Sequence, residues 1–513
     1  MTGEPKSGPP VLGGRPHRLR ARRIGLDTQA EAVVLMRKDC PVCRAEGFVA
    51  RTRVRLVHGE RSVIATLYQA GAEMLSVDEA GLSDSAWTRL GLEAGGEIEV
   101  RHPQPLESLS LVRSKIYGNR LDAGALQAII ADITAGRYSD IDLASFITAC
   151  SARQLEPGEM TALTRAMVES GERIEWGATP VMDKHCVGGL PGNRTTPIVV
   201  AIAAAAGLIM PKTSSRAITS PAGTADSMET LAPVDLDLAA MRRVVEREGA
   251  CIVWGGTVRL SPADDVIIRV ERALDLDSEG LMVASVLSKK IAAGATHLVL
   301  DLPVGPTAKV RSDRAARSLA ESMDAVARDF GLQLRALATD GTQPVGRGVG
   351  PALEARDVLQ VLQGEPGAPA DLRHRALQLA GAVLELGAKA GEGEGEAVAA
   401  TLLADGRAWA KFQRICEAQG GLRTPPVAGH RHAIAAERAG RIARIDNRRL
   451  AKVAKLSGAP EAKAAGLEIQ VRLGDPVEAG QPLYTVHAES PGELAYALDF
   501  AAANPDIVRL ADR

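Results

Sequence analysis

The amino-acid sequence predicts a multidomain protein of mixed α/β and α+β class. Its 513 residues are enough for about three domains, at roughly 100–200 residues per domain. Apolar spacing changes from short alternating runs to helical periods near residue 105, and strand-like runs return near residue 425. We therefore expect a small β-rich domain at 1–104, a mainly α-helical domain at 105–180, an α/β domain with a mixed, mostly parallel sheet and further helices at 181–424, and an α+β domain at 425–513.

The N-terminal domain is predicted to be β-rich because two of its segments have the pattern of strands. Residues 1–18 are rich in Gly, Pro and Arg, and we expect them to be disordered. Thr52, Val54 and Leu56 then alternate with arginines, which places the arginines on the opposite face. The segment 62–67 has the β-branched and apolar composition of a second strand.

The central part of the chain is predicted to alternate helices with the strands of a mostly parallel sheet. Helical spacing covers four stretches, at 121–135, 142–152, about 315–330 and 371–388. Four apolar runs alternate with helical stretches, at 198–208, 250–254, 266–270 and 297–302. The first of these runs is Ala-rich, as a buried helix would be. Short apolar runs separated by helices are typical of a parallel sheet. The strand-like run at 482–487 belongs to the α+β tail.

The charge balance restricts the classes of partner. With 61 basic and 63 acidic residues, the net charge of −2 argues against a broad surface for nucleic acid or anionic membrane. A local basic pocket for one small anion remains compatible with it. No secretory signal is visible, and the longest apolar run is well short of the roughly 20 residues that span a membrane. We expect a cytoplasmic protein that binds neither nucleic acid nor membrane.

The six cysteines are too sparse for a disulfide framework. Cys40 and Cys43 have the spacing of half a zinc site, but no second pair follows them. We interpret them as two reduced cysteines at a turn and predict no metal site.

Three segments rich in glycine, hydroxyl groups and cations predict a site for a small anion. They are Lys184–Asn193, Pro211–Ser220 and Pro221–Asp226. Glycine lets backbone N–H groups approach an anion closely, a helix start adds the positive end of a dipole, and Lys184 adds a full charge. Each segment alone is typical of an ordinary turn. Their concentration favours an oxyanion site.

A fourth segment, Asp277–Lys290, has two interpretations. Ser285 and Lys289 are four residues apart and would share one face of a helix that begins after Asp277. The same spacing is typical of a solvated face with a capping carboxylate.

These segments together resemble the thymidine phosphorylases and the related AMP phosphorylases, from about Val112 to the C-terminus. Asp183–Gly189 matches the D-K-H-S-x-G-G motif, and 284–290 matches A-S-I-L-S-K-K. The stretch 213–226 looks like the AMP phosphorylase version. The additional N-terminal domain is similar to that of the longer AMP phosphorylase-type subfamily.

The resemblance implies a reaction in which inorganic phosphate attacks C1′ of a nucleoside or nucleoside 5′-monophosphate, the base leaves, and a sugar 1-phosphate forms. It implies no metal and no cofactor, since inorganic phosphate is a substrate. It also implies an α domain and an α/β domain around a cleft, in a homodimer or larger homo-oligomer.

The resemblance also assigns roles to individual residues. It implies that Lys184, Ser214 and Thr224 bind the attacking phosphate, with Cys186 at the position of a phosphate-contacting serine. Asp277 matches the proton donor to the leaving base, where a carboxylic acid makes chemical sense. The positions implied to bind the nucleoside or nucleotide are Gly189, Ser215, Arg216, Ala217, Ile218, Thr219, Ser220, Thr224, Ser285, Lys289 and Lys309.

Two departures from the family's pattern affect what we expect. Cys186 replaces serine by a weaker hydrogen-bond donor. The arginine that contacts the pyrimidine in short thymidine phosphorylases aligns near Val270, with Arg269 and Arg272 close but out of register, which weakens the case for thymine as the base. A nucleotide 5′-phosphate would instead suit Arg216.

Two other functions remain open. An anthranilate-type phosphoribosyltransferase would need magnesium, for which Asp264 and Asp265 are a weak candidate pair. A nucleotide-binding protein without turnover would be consistent with Cys186.

Overall fold

The computed structural model describes residues 18–28, 31–217, 220–276 and 278–511. The segment predicted to be disordered, 1–18, lies outside these residues except for Arg18, which begins the first strand. The chain divides into two compact units, one with the residues up to Ser114 together with Asp132–Ser145, and one with Lys115–Ala131 and the residues from Phe146 onward. Every helix in the described ranges is too short or too polar to span a lipid bilayer.

The N-terminal part of the first unit is a closed six-stranded β-barrel. Its elements are β1 (Arg18–Arg23), β2 (Val33–Arg37), α1 (Pro41–Glu46), β3 (Arg53–His58), β4 (Arg61–Ala70), β5 (Glu79–Leu82), α2 (Asp84–Leu90) and β6 (Glu97–Arg101). The strand order is β1-β5-β2-β4-β3-β6, and β6 pairs with β1 to close the barrel. Val54 and Leu56 point into the apolar core, which confirms the predicted alternation.

The two cysteines of the C-x-x-C segment are buried at the start of α1. The Cys40 Sγ accepts a hydrogen bond from the Cys43 N–H at 3.2 Å, so this thiol caps the helix. Both side chains belong to the barrel core, and burial raises the pKa of Cys43 to about 12. The pair therefore has a structural role in capping and packing.

Four helices follow the barrel: α3 (Ser108–Ile116), α4 (Ala123–Thr134), α5 (Asp140–Ala152) and α6 (Pro157–Glu169). The predicted helices at 121–135 and 142–152 are confirmed as α4 and α5. Lys115 and Glu159 form a buried ion pair, with Nζ 2.7 Å and 2.8 Å from the two carboxylate oxygens. The Leu121 N–H also donates to Glu159, which ties the segment just before α4 to α6.

Parallel strands and helices then alternate. They are β7 (Met182–Cys186), α7 (Thr196–Ala205), β8 (Met210–Ser214), α8 (Thr224–Glu229), α9 (Leu238–Glu248), β9 (Ala250–Trp254), α10 (Pro262–Leu274), α11 (Glu279–Ala292), β10 (His297–Val304), α12 (Asp313–Asp329) and β11 (Gln333–Asp340). Parallel pairing gives the orders β11-β10-β7 and β8-β9, and a parallel bridge between Val181 and Ile209 links β7 to β8.

The strands predicted at 250–254 and 297–302 are confirmed as β9 and β10. The interpretation of 266–270 as a run of the sheet is wrong, because these residues lie inside α10. Pro262 and the acidic Asp264 and Asp265 occupy the first turn of that helix, where proline and carboxylates are favoured. A five-residue segment with four apolar residues does not by itself distinguish a strand from one face of a helix.

The remaining elements complete the α/β part and form the α+β tail. They are β12 (Gly348–Val349), α13 (Pro351–Gln363), α14 (Ala370–Leu386), α15 (Gly395–Ala404), α16 (Arg407–Gln419), β13 (His430–Ala435), β14 (Gly440–Ile445), α17 (Asn447–Leu456), β15 (Gly466–Ile469), β16 (Pro476–Val477), β17 (Pro482–Ala488), α18 (Pro491–Ala503) and β18 (Val508–Leu510). The tail has sheets of order β12-β15-β17-β13 and β16-β14-β18. The short β12, which precedes the tail in sequence, is an edge strand of its larger sheet.

Candidate active site

The strand order reverses between β7 and β10, which predicts a crevice at the carboxyl ends of these strands. From β7 the chain continues to β8 and β9 on one side, and returns through β10 and β11 on the other. Open α/β sheets bind ligands at such a switch point, outside the carboxyl ends of the strands. Lys184 and Cys186 lie on β7 at this end, and Asp301 is directly opposite Cys186 on β10.

The Lys184 ammonium is buried near this switch point, and its side chain is 1% exposed. Its Nζ donates to Thr195 Oγ1 at 2.9 Å and lies 3.8 Å from Asp301 Oδ2. A buried ammonium needs close polar or anionic partners to offset the loss of hydration. Lys184 has one hydroxyl at hydrogen-bond distance, and its nearest carboxylate lies beyond that distance. The ammonium is therefore suited to bind an incoming anion.

Cys186 is part of a polar group formed with Asn193 and Asp301. The Asn193 Nδ2 donates to Cys186 Sγ at 3.3 Å and to Asp301 Oδ2 at 3.0 Å. Burial raises the pKa of the Cys186 thiol, and the Asp301 carboxylate raises it further. The thiol is therefore neutral at neutral pH and retains its S–H as a weak donor.

The predicted phosphate-binding hydroxyls lie at the end of β8 and the start of α8. Ser214 is buried, and its Oγ has no hydrogen-bond partner among the described residues. A buried hydroxyl without a partner is uncommon in native proteins and is typical of a place where a ligand completes the bonding. Thr224 begins α8, and its Oγ1 accepts a hydrogen bond from Arg194 Nη1 at 2.7 Å.

Gly223 allows the two hydroxyl-bearing segments to touch. A Cβ atom at this position would lie 2.4 Å from the Ser215 carbonyl oxygen, a distance that side chains do not tolerate. The Ala225 N–H donates to that carbonyl at 3.2 Å. The chain after β8 is thus held against the first turn of α8 by backbone contact.

Arg216 is surrounded by carboxylates. Its guanidinium makes a two-pronged contact with Glu229, at 2.8 Å and 2.9 Å, and lies 3.4 Å from both Asp226 and Asp235. It also stacks 4.8 Å from the centre of the Trp254 ring. The hydrogen bond with Arg216 lowers the pKa of Glu229 to about 2. A nucleotide 5′-phosphate at Arg216 would have to displace these carboxylates.

The other residues of this segment make local contacts. The Ala217 N–H donates to Asp226 Oδ2 at 2.6 Å, and Ser220 Oγ donates to the Ala222 carbonyl at 2.8 Å. Ser215 supplies the carbonyl described above. Ile218 and Thr219 lie outside the described residues.

The fourth predicted segment forms α11, so Ser285 and Lys289 do share a helix. Both are half-buried. The Lys289 ammonium pairs with the buried Asp264 carboxylate of α10. Burial alone would lower the pKa of Lys289, but Asp264 raises it above its ordinary value. The predicted proton donor, Asp277, lies outside the described residues.

Gly189 and Lys309 come together although they are far apart in sequence. Gly189 has a φ of 86°, and a Cβ atom there would lie 3.3 Å from the Lys309 backbone nitrogen. Glycine is therefore favoured by its left-handed backbone conformation, and the tight contact with Lys309 disfavours a larger residue further. Lys309 is exposed.

Sequence reasoning missed a buried cluster that joins three of the motifs. The Asp183 carboxylate lies 3.1 Å from Lys212 Nζ and 2.9 Å from Lys290 Nζ. Burial would raise the pKa of Asp183, but the two lysines hold it below its usual value. Burial and the neighbouring lysines lower the pKa of His185, so this imidazole is neutral. Asp183, Lys212 and Lys290 each belong to a different motif. Their membership of these motifs was the only sequence signal that could have indicated the cluster.

Three stretches of the chain match known domain families. Residues 109–171 match the helical bundle domain of a glycosyl transferase family, and 178–409 match the α/β domain of a glycosyl transferase family. Residues 441–507 match the C-terminal domain of pyrimidine nucleoside phosphorylases.

Full-length relatives identify the family. A protein of Chelativorans sp. (strain BNC1) is 63% identical over 493 residues, covering 96% of this chain and 97% of the relative. One from Sphingopyxis alaskensis is 61% identical over 510 residues, covering 99% of both chains. Both are named "Putative thymidine phosphorylase". The chain belongs to the thymidine phosphorylase family. These relatives match the N-terminal region of the chain as well as the three domains, because the identity extends over nearly the whole length.

A solved structure shares the fold of a large part of the chain. The crystal structure of anthranilate phosphoribosyltransferase from Thermus thermophilus matches with a TM-score of 0.50 and 24% identity, covering 60% of this chain and 98% of that one. This likeness concerns the fold alone. Asp264, one of the two weak candidates for magnesium binding in a phosphoribosyltransferase, pairs with Lys289 in this member of the thymidine phosphorylase family.

Proposed function

We propose that this chain catalyses phosphorolysis of the N-glycosidic bond of a nucleoside. Inorganic phosphate attacks C1′, the bond to the base breaks, and the products are the free base and a sugar 1-phosphate. The observation that carries the proposal is the buried Lys184 ammonium at the switch point of the sheet. The unpartnered Ser214 hydroxyl and the Thr224 hydroxyl supply further donors for a phosphate dianion.

The residues that we assign to the leaving base would assist its departure. Negative charge develops on the base as the glycosidic bond breaks, and a nearby cation or proton donor stabilises it. Lys289, kept charged by Asp264, would supply the cation, and Ser285 would supply a hydroxyl one helical turn earlier. Asp277 would donate the proton.

A pyrimidine nucleoside such as thymidine is the first substrate that we propose. The names of the relatives and the match to the pyrimidine nucleoside phosphorylase C-terminal domain support it. The carboxylates around Arg216 disfavour a 5′-phosphate at that guanidinium.

A nucleoside 5′-monophosphate is the second candidate substrate, as the resemblance of 213–226 to AMP phosphorylases implies. The exposed Lys309 beside Gly189 favours it, because this side chain would offer a cation to the 5′-phosphate. We further propose that the reaction needs no metal ion or organic cofactor, and that the chain works as a homodimer or larger assembly.

A substrate screen tests the proposal. The purified full chain is incubated with thymidine, uridine, AMP, CMP or UMP, with and without inorganic phosphate and with and without a chelator. Free base and sugar 1-phosphate are measured by chromatography. We expect phosphate-dependent release that the chelator does not affect. Absence of such release from every substrate would contradict the proposal, and turnover that needs magnesium and a diphosphate donor would indicate a phosphoribosyltransferase.

Two variants test whether Lys184 takes part in the reaction. Lys184→Met should lower phosphate-dependent turnover at least about a hundredfold, because it removes the cation that stabilises the phosphate. Lys452→Met, on the exposed face of α17, is the matched control and should retain full activity. Equal activity of the two variants would contradict the assignment of Lys184.

A further inference from the structure

Arg194 connects the predicted phosphate site to the interior of the α/β domain. It lies between β7 and α7, with only 11% of its side chain exposed. Its guanidinium donates three hydrogen bonds, to Thr224 Oγ1 at 2.7 Å, to the Ala222 carbonyl at 2.8 Å and to Glu354 Oε2 at 2.6 Å. The planar guanidinium holds its partners in a fixed geometry that a lysine ammonium would not reproduce.

The bond from Arg194 determines what the Thr224 hydroxyl can do. A threonine hydroxyl has one proton to donate and two lone pairs that accept. Because Arg194 occupies one lone pair, the Oγ1 proton must point away from the guanidinium. The hydroxyl is thereby directed to act as a donor toward an acceptor on its other side, as binding of a phosphate oxygen requires.

Glu354 fixes Arg194 from the opposite side. This carboxylate lies on α13 and is 1% exposed. Besides Arg194 it accepts from Ser227 Oγ at 3.0 Å and from the Gly350 N–H at 3.3 Å. A carboxylate with these donors cannot reorient without leaving a buried charge unpaired, so the guanidinium is held in place.

Thr195, the residue after Arg194, holds the Lys184 side chain in a similar way. Thr195 Oγ1 accepts the hydrogen bond from Lys184 Nζ at 2.9 Å. Two consecutive residues therefore contact two predicted phosphate ligands from different segments of the chain, namely Lys184 on β7 and Thr224 on α8.

We propose that Arg194, anchored by Glu354, is a positioning residue that orients Thr224 for phosphate and, through the adjacent Thr195, fixes the spacing between Thr224 and Lys184. The inference rests on the proposed phosphorolysis. It predicts a larger effect on phosphate binding than on nucleoside binding, for which Thr224 is one of several implied contacts.

Steady-state kinetics with both substrates varied tests the inference. Arg194→Met alone leaves the Glu354 carboxylate buried and unpaired, so the main variant is Arg194→Met combined with Glu354→Gln, whose amide retains partners for Ser227 and Gly350. We expect the KM for inorganic phosphate to rise about tenfold or more, as loss of a hydrogen bond to a charged group predicts. The KM for the nucleoside should change less than about twofold.

A double-mutant cycle separates positioning from general damage. Thr224→Val removes the hydroxyl that Arg194 orients, so adding the Arg194 and Glu354 substitutions to it should raise the phosphate KM much less than they do in the wild-type chain. Arg194→Lys should recover part of the phosphate affinity. Arg407→Met, which removes an exposed arginine of α16, is the matched control and should leave both KM values unchanged.

The outcomes distinguish this inference from the function on which it rests. A wild-type chain without phosphate-dependent turnover would contradict the proposed function and the inference with it. An active wild-type chain whose folded Arg194→Met/Glu354→Gln variant keeps the wild-type phosphate KM would overturn the inference alone. Equal increases in both KM values, with a lowered Tm, would overturn it as well, since they indicate a purely structural role.

Discussion

At the scale of single residues, Cys186 presents a neutral thiol where the family's pattern has a serine hydroxyl. Asn193 donates to its sulfur, and burial together with Asp301 keeps the thiol protonated. A protonated thiol donates more weakly than a hydroxyl does. Lys184 and the two hydroxyls of Ser214 and Thr224 would then provide most of the stabilisation of phosphate.

Cys186→Ser should therefore strengthen phosphate binding. We expect the KM for inorganic phosphate to fall about threefold, because a hydroxyl forms the stronger hydrogen bond to an anion. Steady-state kinetics at saturating nucleoside would measure the effect. Cys150→Ser, a buried thiol of α5, is the control and should leave this KM unchanged. An unchanged or higher phosphate KM in Cys186→Ser would show that the side chain does not contact phosphate.

At the scale of secondary-structure elements, the Asp183 cluster holds β7, β8 and α11 together. One buried carboxylate compensates two buried lysines. Burial lowers the pKa of Lys290 to about 7, the Lys212 charge acts in the same direction, and Asp183 opposes both. The cluster lies directly behind Lys184, its neighbour on β7. It therefore fixes the strand end from which the predicted phosphate ligands project.

Asp183→Asn should destabilise the chain by about 3–5 kcal/mol, since it leaves two buried ammonium groups without a carboxylate. Urea unfolding followed by circular dichroism would measure the change in the free energy of unfolding. Asp405→Asn, which breaks an exposed pair with Arg407, is the matched control and should have little effect. A similar small effect for both variants would show that the lysines lose their protons without cost to the fold.

The contact between α10 and α11 predicts a pH effect. Asp264 raises the pKa of Lys289, so wild-type Lys289 remains charged through the neutral range. Asp264→Asn removes the negative charge that raises this pKa, while Lys289 stays half-buried. The pKa of Lys289 therefore falls, and its charged form is lost at a lower pH. The alkaline limb of kcat/KM for the nucleoside should therefore shift to lower pH, with the phosphate KM unchanged. An unshifted pH profile would contradict a role for the Lys289 charge in base binding.

The elements that the sequence predicted correctly are those with a long or unambiguous pattern. The helices α4, α5, α12 and α14 and the strands β9 and β10 have such patterns. The segment 266–270 was misassigned because a short run with four apolar residues fits either structure, whereas the proline and carboxylates before it are typical of the first turn of a helix. β7 was not predicted as a strand because Asp183, Lys184 and His185 make it polar, although it is central to the site.

The candidate site also has features that the sequence predicted and features that it did not. Its motifs could be recognised in the sequence, and glycine, lysine and hydroxyl groups indicated an anion. The pairing of Asp183 with Lys212 and Lys290, and the path from Glu354 through Arg194 to Thr224, depend on which strand ends and helices meet. Long-range contacts of this kind have no periodic signal in a single sequence.

At the scale of the whole molecule, a nearly neutral chain concentrates positive charge at one place. The net charge is −2, whereas the carboxyl end of β7 brings three buried lysines together with Asp183 and Asp301. Burial of these groups strengthens their attraction for a small anion, because the surroundings exclude water. A protein with this distribution should bind inorganic phosphate before any nucleoside is present.

Phosphate should therefore stabilise the folded chain even without turnover. A ligand present at about a hundred times its Kd stabilises the folded state by about 2.7 kcal/mol, so the Tm should rise by a few degrees in phosphate. Thermal unfolding in phosphate is compared with unfolding in sodium chloride of equal ionic strength, because screening alone also changes with salt. Lys184→Met should lose the phosphate-dependent increase, whereas Lys452→Met should keep it. If the Tm of Lys184→Met rises in phosphate as much as that of the wild-type chain, the phosphate binds elsewhere, and the crevice at the end of β7 is not its site.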